Sequence, residues 1–218
     1  MTNPLPSTPA FSVWSALWNP FRFFAGSTAL ISGIGIVLAT GAIASVSSTH
    51  FDGVLDTHVG FPAPLWFFLL EGIVNWISLA SCLWLGAVLL REKRAFRALD
   101  LFGTQALARW PFIITALVCL LPGVQTYQKK LLALAKSGET VLLPPAGTPT
   151  ELASFWGAAL VMIFVTIWFV ALAWKSFRIS CDARGGRAIV TFILAIVIAE
   201  VISKLLFLKV LLPLLKGT

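Results

Sequence analysis

The chain has 218 residues, 58% of them hydrophobic and 11% charged, with a mean hydropathy of +0.92. Soluble domains run roughly 45–50% apolar and ~25% charged, so a water-soluble globule hiding this much apolar surface is excluded. The net charge of +7 does not point to nucleic acid, because the basic residues sit in short segments between apolar runs, where they act as topology signals.

Residues 1–22 begin Pro-rich and polar, then set Phe11, Trp14, Trp18 and Phe21 at steps of three and four. That spacing predicts an interfacial aromatic helix ahead of the first span. The apolar run from Phe23 to Val46 exceeds the ~7–15 residues of a signal-peptide core and is read as a retained span over 23–47. Within it, Ala25, Ala29, Gly33 and Gly41 form a near four-residue repeat of small side chains, a stripe that lets another helix approach closely. The loop from His50 to Phe61 follows, with Asp52, Asp56 and His58 and neither Lys nor Arg. His and Asp are metal-ligand types, but their spacing matches no metal motif. A solvated polar loop without a metal is the expectation.

A second span over 63–90 carries Glu71 and Asn75 one turn apart and ends at Arg91-Glu92-Lys93-Arg94. Residues 95–109 mix Phe96, Leu99, Leu101, Phe102 and Leu107 with Arg97, Asp100, Gln105 and Arg109, which predicts an amphipathic connector along the membrane surface. The third span is placed at 110–127, around Pro111 and Pro122, with an amphipathic continuation to Lys136. Thr148-Pro149-Thr150-Glu151 has capping-box spacing and opens a fourth, uncharged span over 153–174. A basic turn from Lys175 to Arg187 leads into the fifth span, 188–210, which contains Glu200 and Lys204. The fold class is therefore all-α: one polytopic transmembrane bundle of about five spans over 23–212. Cys82, Cys119 and Cys181 have no disulfide or metal-type spacing.

With alternating sides, one face of the membrane receives Arg22, segment 91–109 and turn 175–187. Together these hold ten of the sixteen Lys and Arg residues, including every arginine. The positive-inside bias makes that side, and the N-terminus, cytoplasmic, with the C-terminus outside. A multi-pass protein of the inner membrane is expected.

Charges within spans usually face the bundle interior. Glu71, Asn75, Glu200 and Lys204 all fall in the outer halves of spans two and five, so one polar cluster can form. It reads either as a packing latch between those spans or as the polar path of a small transporter or channel subunit. No phosphate loop, nucleophile elbow, HExxH or CxxC occurs, so neither an enzymatic centre nor a cofactor is expected. The expected partners are the lipid bilayer, other membrane proteins or a second copy of the chain, and no nucleic acid.

Three stretches together carry a family resemblance: LWNPFRFF at 17–24, REKRAFRALDLFGTQALARWP at 91–111, and WFVALAWKSFRISCDARGGRAIVTFIL at 168–194. In these the chain, over about residues 14–210, resembles the Yip family, five-span membrane proteins named for interaction with Ypt/Rab GTPases and represented in bacteria. The resemblance implies five spans, a cytoplasmic N-terminus, an external C-terminus and a non-enzymatic scaffold role in membrane organisation. It assigns no functional residue.

Overall fold

In hydrocarbon every backbone N–H and C=O must be satisfied within its own segment, which turns long apolar runs into helices. Five helical segments are long and apolar enough to cross a membrane: Gly26–Ser47, Leu65–Leu89, Ala98–Val118, Pro149–Cys181 and Gly185–Gly217. The structure, a computed structural model, describes residues 12–90, 96–137 and 147–217. Phe11 and the basic run 91–94 lie outside them. In chain order the elements are α1 (Val13–Trp18), a 3₁₀ turn (Pro20–Arg22), α2 (Gly26–Ser47), the antiparallel pair β1 (Thr49–His50) and β2 (His58–Val59), and α3 (Leu65–Leu89). There follow α4 (Ala98–Ala108), α5 (Phe112–Val118), α6 (Pro122–Ser137), α7 (Pro149–Cys181), α8 (Gly185–Leu206), a π turn (Phe207–Leu211) and α9 (Leu212–Gly217). This is the all-α bundle expected.

The aromatic face before the first span divides at Pro20. Trp14 and Trp18 stay exposed on α1, with Trp18 stacked on Trp168 at 4.4 Å, whereas Phe21 turns inward in the 3₁₀ turn and is buried.

Helix α2 packs against α3, α4 and α5, and small residues make those approaches possible. A Cβ on Gly33 would lie 2.5 Å from the Ala106 Cβ and 2.6 Å from the Leu107 backbone nitrogen, and one on Gly41 would lie 2.9 Å from the Phe68 carbonyl oxygen. Ala29 is fully buried. Ala25 does not belong to this stripe: it is the exposed N-cap of α2, one residue before the packed helix begins.

The third span is displaced from its expected position. It runs over Ala98–Val118 rather than 110–127, and 67% of its 18-residue apolar stretch is buried, against 28% to 39% of the corresponding stretches in the other four. The expected surface connector is therefore the most enclosed helix of the bundle. Its polar side chains point inward because α7 supplies partners. Gln105 Nε2 donates to the Ala173 carbonyl at 2.9 Å, Ser176 Oγ donates to Thr104 Oγ1 at 2.7 Å, and Ser180 Oγ lies 2.9 Å from the same Thr104 oxygen. Hydrogen bonds of this kind hold helices together where water is absent. Pro111 then breaks the helix, and the chain tightens through i to i−3 bonds from the Arg109, Trp110 and Phe112 N–H groups.

Pro122 opens α6, which buries Val124 and Tyr127 and keeps Lys129 exposed, as an amphipathic helix should. The capping box forms as expected: Thr148 Oγ1 accepts from the Glu151 N–H, and Glu151 Oε2 accepts from the Thr148 N–H at 2.8 Å and from Lys130 Nζ at 2.7 Å. Near the C-terminus, Pro213 offers no N–H and crowds the carbonyl four residues earlier, at Lys209, within the π turn.

The stripe yields a paired test. Gly33→Val should lower stability by about 1–3 kcal/mol through overpacking against α4. Gly35→Val, at a position with nothing within 4 Å, should leave the thermal midpoint in detergent near that of the parent.

Candidate functional site

The intramembrane polar residues converge on the loop between α2 and α3. Ser48 takes a left-handed conformation (φ 52°) at the end of α2, turning the chain back over the bundle, and β1 pairs with β2 so that Thr49 faces Val59 and His50 faces His58. The loop is not the solvated segment expected from its composition. Thr49, His50, Phe51, Gly53 and Val54 are buried, because two helices present acceptors that draw the backbone inward.

Glu71 is the seventh residue of α3, about 9 Å below its outer end at 1.5 Å rise per residue. Its Oε1 lies 2.7 Å from His50 Nδ1, and its Oε2 accepts from the Phe51 N–H at 3.2 Å. One turn further, Asn75 Nδ2 donates to the Phe51 carbonyl. His50 Nε2 lies 2.8 Å from the Phe61 carbonyl, an acceptor, so both ring nitrogens are held. Phe61, Phe67, Phe68 and Phe207 surround the imidazole with ring centroids 4.5 to 6.4 Å away, and both side chains are fully inaccessible.

Glu200 and Lys204 of α8 form a separate group. Glu200 Oε2 accepts from the Leu55 N–H at 2.9 Å, and Lys204 Nζ reaches Asp56 Oδ2 at 2.5 Å and Glu200 Oε1 at 3.5 Å. The single cluster expected from the sequence is therefore two clusters, one on α3 and one on α8. The latch runs from each helix to the loop rather than from helix to helix, because the loop's backbone donors lie between the two carboxylates. Ligand-type atoms of Asp52, Asp56 and His58 come within 4.8 Å of one another, but His50 is drawn away to Glu71, and the Lys204 ammonium already neutralises Asp56.

Arg109 was not visible as a site in the sequence, where it closes the supposed surface connector. In the structure it is the twelfth of 21 residues in the third span and only 4% exposed. Its guanidinium carbon sits 5.2 Å from the ring centroids of both Phe112 and Phe169, a cation–π arrangement that strengthens when water is excluded. Its buried Nη1 has no hydrogen-bond partner among the described residues. Beside it lies a cavity of about 10 Å³ lined by Val37, Thr40, Phe51, Phe68 and Gly72, room for about one water molecule. Moving Arg109 into the membrane leaves nine basic residues on the arginine-rich side and does not change the charge bias.

No family model, curated protein or solved structure matches the chain.

The loop gives the fold a pH dependence. The neighbouring Asp52 carboxylate, its Oδ1 3.4 Å from His58 Nδ1, outweighs burial and raises the His58 imidazole above its usual value of 6.5, helped by the charges of Asp56 and Glu71. Burial pushes the Asp52 carboxyl up, but the adjoining His58 imidazole and the charge of Lys204 hold it below 3.8. The His58 contribution is fully present below about pH 6.5 and fades as pH rises through the raised native value; that of Asp52 fades only in acid, as pH falls through its lowered value. Both side chains are partly exposed, so the gain stays below about 1 kcal/mol. The thermal midpoint of the parent should exceed that of His58→Gln at pH 5.5, and the gap should narrow by pH 8.5.

Proposed function

We propose that this protein is a non-enzymatic, Yip-like five-span scaffold of the bacterial inner membrane, with its arginine-rich side cytoplasmic, serving membrane organisation through contacts with other membrane proteins or a second copy. The observation that carries this reading is the use to which the intramembrane polar groups are put. Glu71, Asn75, Glu200 and Lys204 are each committed to the outer loop, and the His50–Glu71 pair is inaccessible to solvent and caged by aromatic rings. Groups spent on closing a loop are unavailable to line a path. The five apolar helices and the charge bias fit the same reading.

One observation favours a second reading, a small transporter or channel subunit: the Arg109 guanidinium, buried at mid-span beside a water-sized cavity. Intramembrane arginines of this kind mark ion and substrate routes in many membrane proteins.

The two readings separate experimentally. In a background with Cys82, Cys119 and Cys181 replaced by Ser, Thr40→Cys reports on the cavity beside Arg109. The scaffold reading expects this cysteine to stay unlabelled by a membrane-impermeant maleimide and proteoliposomes to remain tight to protons and small solutes. It also expects Glu71→Gln to lower stability by about 1–3 kcal/mol, because the buried partners lose a charged acceptor. Labelling from the outer side together with a solute flux that Arg109→Gln abolishes would replace the scaffold with a transporter.

A further inference from the structure

The arginine-rich end of α7 carries a second feature unconnected with the outer loop. A cavity of about 510 Å³ opens there, lined by Asn19, Trp174, Lys175, Arg178, Asp182 and Arg184 among others. Arg184 is committed to Asp182, with Nη2 to Oδ1 at 2.8 Å. Lys175 and Arg178 have no carboxylate partner among the described residues: Lys175 Nζ donates to the neutral Trp18 carbonyl at 3.2 Å, and the Arg178 guanidinium lies 5.9 Å from the Trp174 ring centroid. The wall thus keeps two uncompensated cations side by side, three residues apart on one helix face. Asn19 contributes a buried Oδ1 without a hydrogen-bond partner among the described residues, an acceptor suited to a hydroxyl.

The cavity does not end at the charges. A second hollow of about 210 Å³ shares Ala171 and Lys175 with it and continues one to three turns toward the bilayer centre, between Trp18, Phe164, Ile167 and Trp168. Trp18 is fixed there by its stack on Trp168. A basic, hydroxyl-accepting cavity at the interface that runs into an apolar groove at acyl-chain depth has the shape and polarity of one molecule. Topology alone accounts for basic residues in a turn. It does not account for a groove that begins at two of them.

We propose that α7 and the α1 turn hold an anionic phospholipid with a hydroxylated headgroup, its phosphate between Lys175 and Arg178 and one acyl chain in the groove lined by Trp18, Phe164, Ile167 and Trp168. Basic pockets on this side of a bundle bind anionic headgroups, each cation contributing on the order of a fivefold gain in affinity. The site lies at the opposite end of the spans from the outer loop, so it stands or falls independently of the scaffold reading.

Native mass spectrometry of the delipidated full chain in a neutral detergent tests this, with phosphatidylglycerol and phosphatidylcholine of matched chains and with glycerol 3-phosphate as the soluble counterpart. Phosphatidylglycerol should bind at least about tenfold more tightly than phosphatidylcholine, and Lys175→Gln/Arg178→Gln should remove about 30-fold of its affinity. Arg187→Gln, in the same basic turn but outside the cavity, should retain that affinity. Ile167→Trp, which fills the groove at a residue 63% exposed and leaves every charge in place, should weaken phosphatidylglycerol too and remains decisive should the double variant fail to fold. An equal loss in Arg187→Gln would show diffuse attraction to a charged surface only, and unchanged binding in Ile167→Trp would remove the groove. Glycerol 3-phosphate binding as tightly as the lipid would make the ligand a soluble phosphate ester. Each of these results overturns the proposal.

Discussion

A carboxylate held about 9 Å inside an apolar helix has to be matched by the protein, since the bilayer offers it nothing, and the outer half of this bundle is organised around that requirement at Glu71. One oxygen takes a side chain and the other a backbone N–H, which forces the loop to descend between α2 and α3. Once it has descended, its own carbonyls and amides need partners: Asn75 takes one, Glu200 another, and the short β pairing joins the two ends of the loop. Phe51 arrives on the far side of the same peptide, edge-on to Phe112 at 5.4 Å, and completes the lid over Arg109. The polar residues of the outer half are in this sense one arrangement with two attachment points.

The inner half obeys the same constraint through different means. Helix α4 brings Thr104 and Gln105 into a dry interior, and α7 answers with Ala173, Ser176 and Ser180. Those bonds require close helices, and Gly33 permits the approach on the opposite flank by offering no side chain where Ala106 and the Leu107 backbone pass. Where attraction between apolar surfaces is no stronger than attraction to lipid, small residues and hydrogen bonds replace it. The wide apolar faces of α7 and α8, with Leu160, Ile167, Val190, Ile193, Val197 and Val201 exposed, are what such a bundle shows to acyl chains.

Much of this was readable in the residues. Continuous apolar runs located α2, α3, α7 and α8, because length and hydropathy alone decide whether a segment partitions into hydrocarbon. The capping box at Thr148–Glu151 was readable too, being a local interaction. The third span was misplaced because amphipathicity does not say which way the polar face points. Thr104, Gln105 and Arg109 read equally well as groups turned to water or to an interior that satisfies them, and the partners on α7 lie some 70 residues further along. The loop differs for the same reason: His50 and Asp56 suggest solvent until Glu71 and Lys204 are seen beside them. Non-local satisfaction of polar groups leaves no periodic trace.

The enclosure of the third span bears on how the protein is made. This span carries Arg109 near its middle, where α4 ends, and the partners of its polar side chains belong to α7, which is synthesised later. An arginine in the middle of a span opposes partitioning by about 2.5–3.5 kcal/mol on insertion scales. The segment's own apolar residues offset that cost, and its hydrogen bonds to α7 add what lipid cannot supply. The third span is thus the one whose place in the membrane depends most on a helix that leaves the ribosome after it.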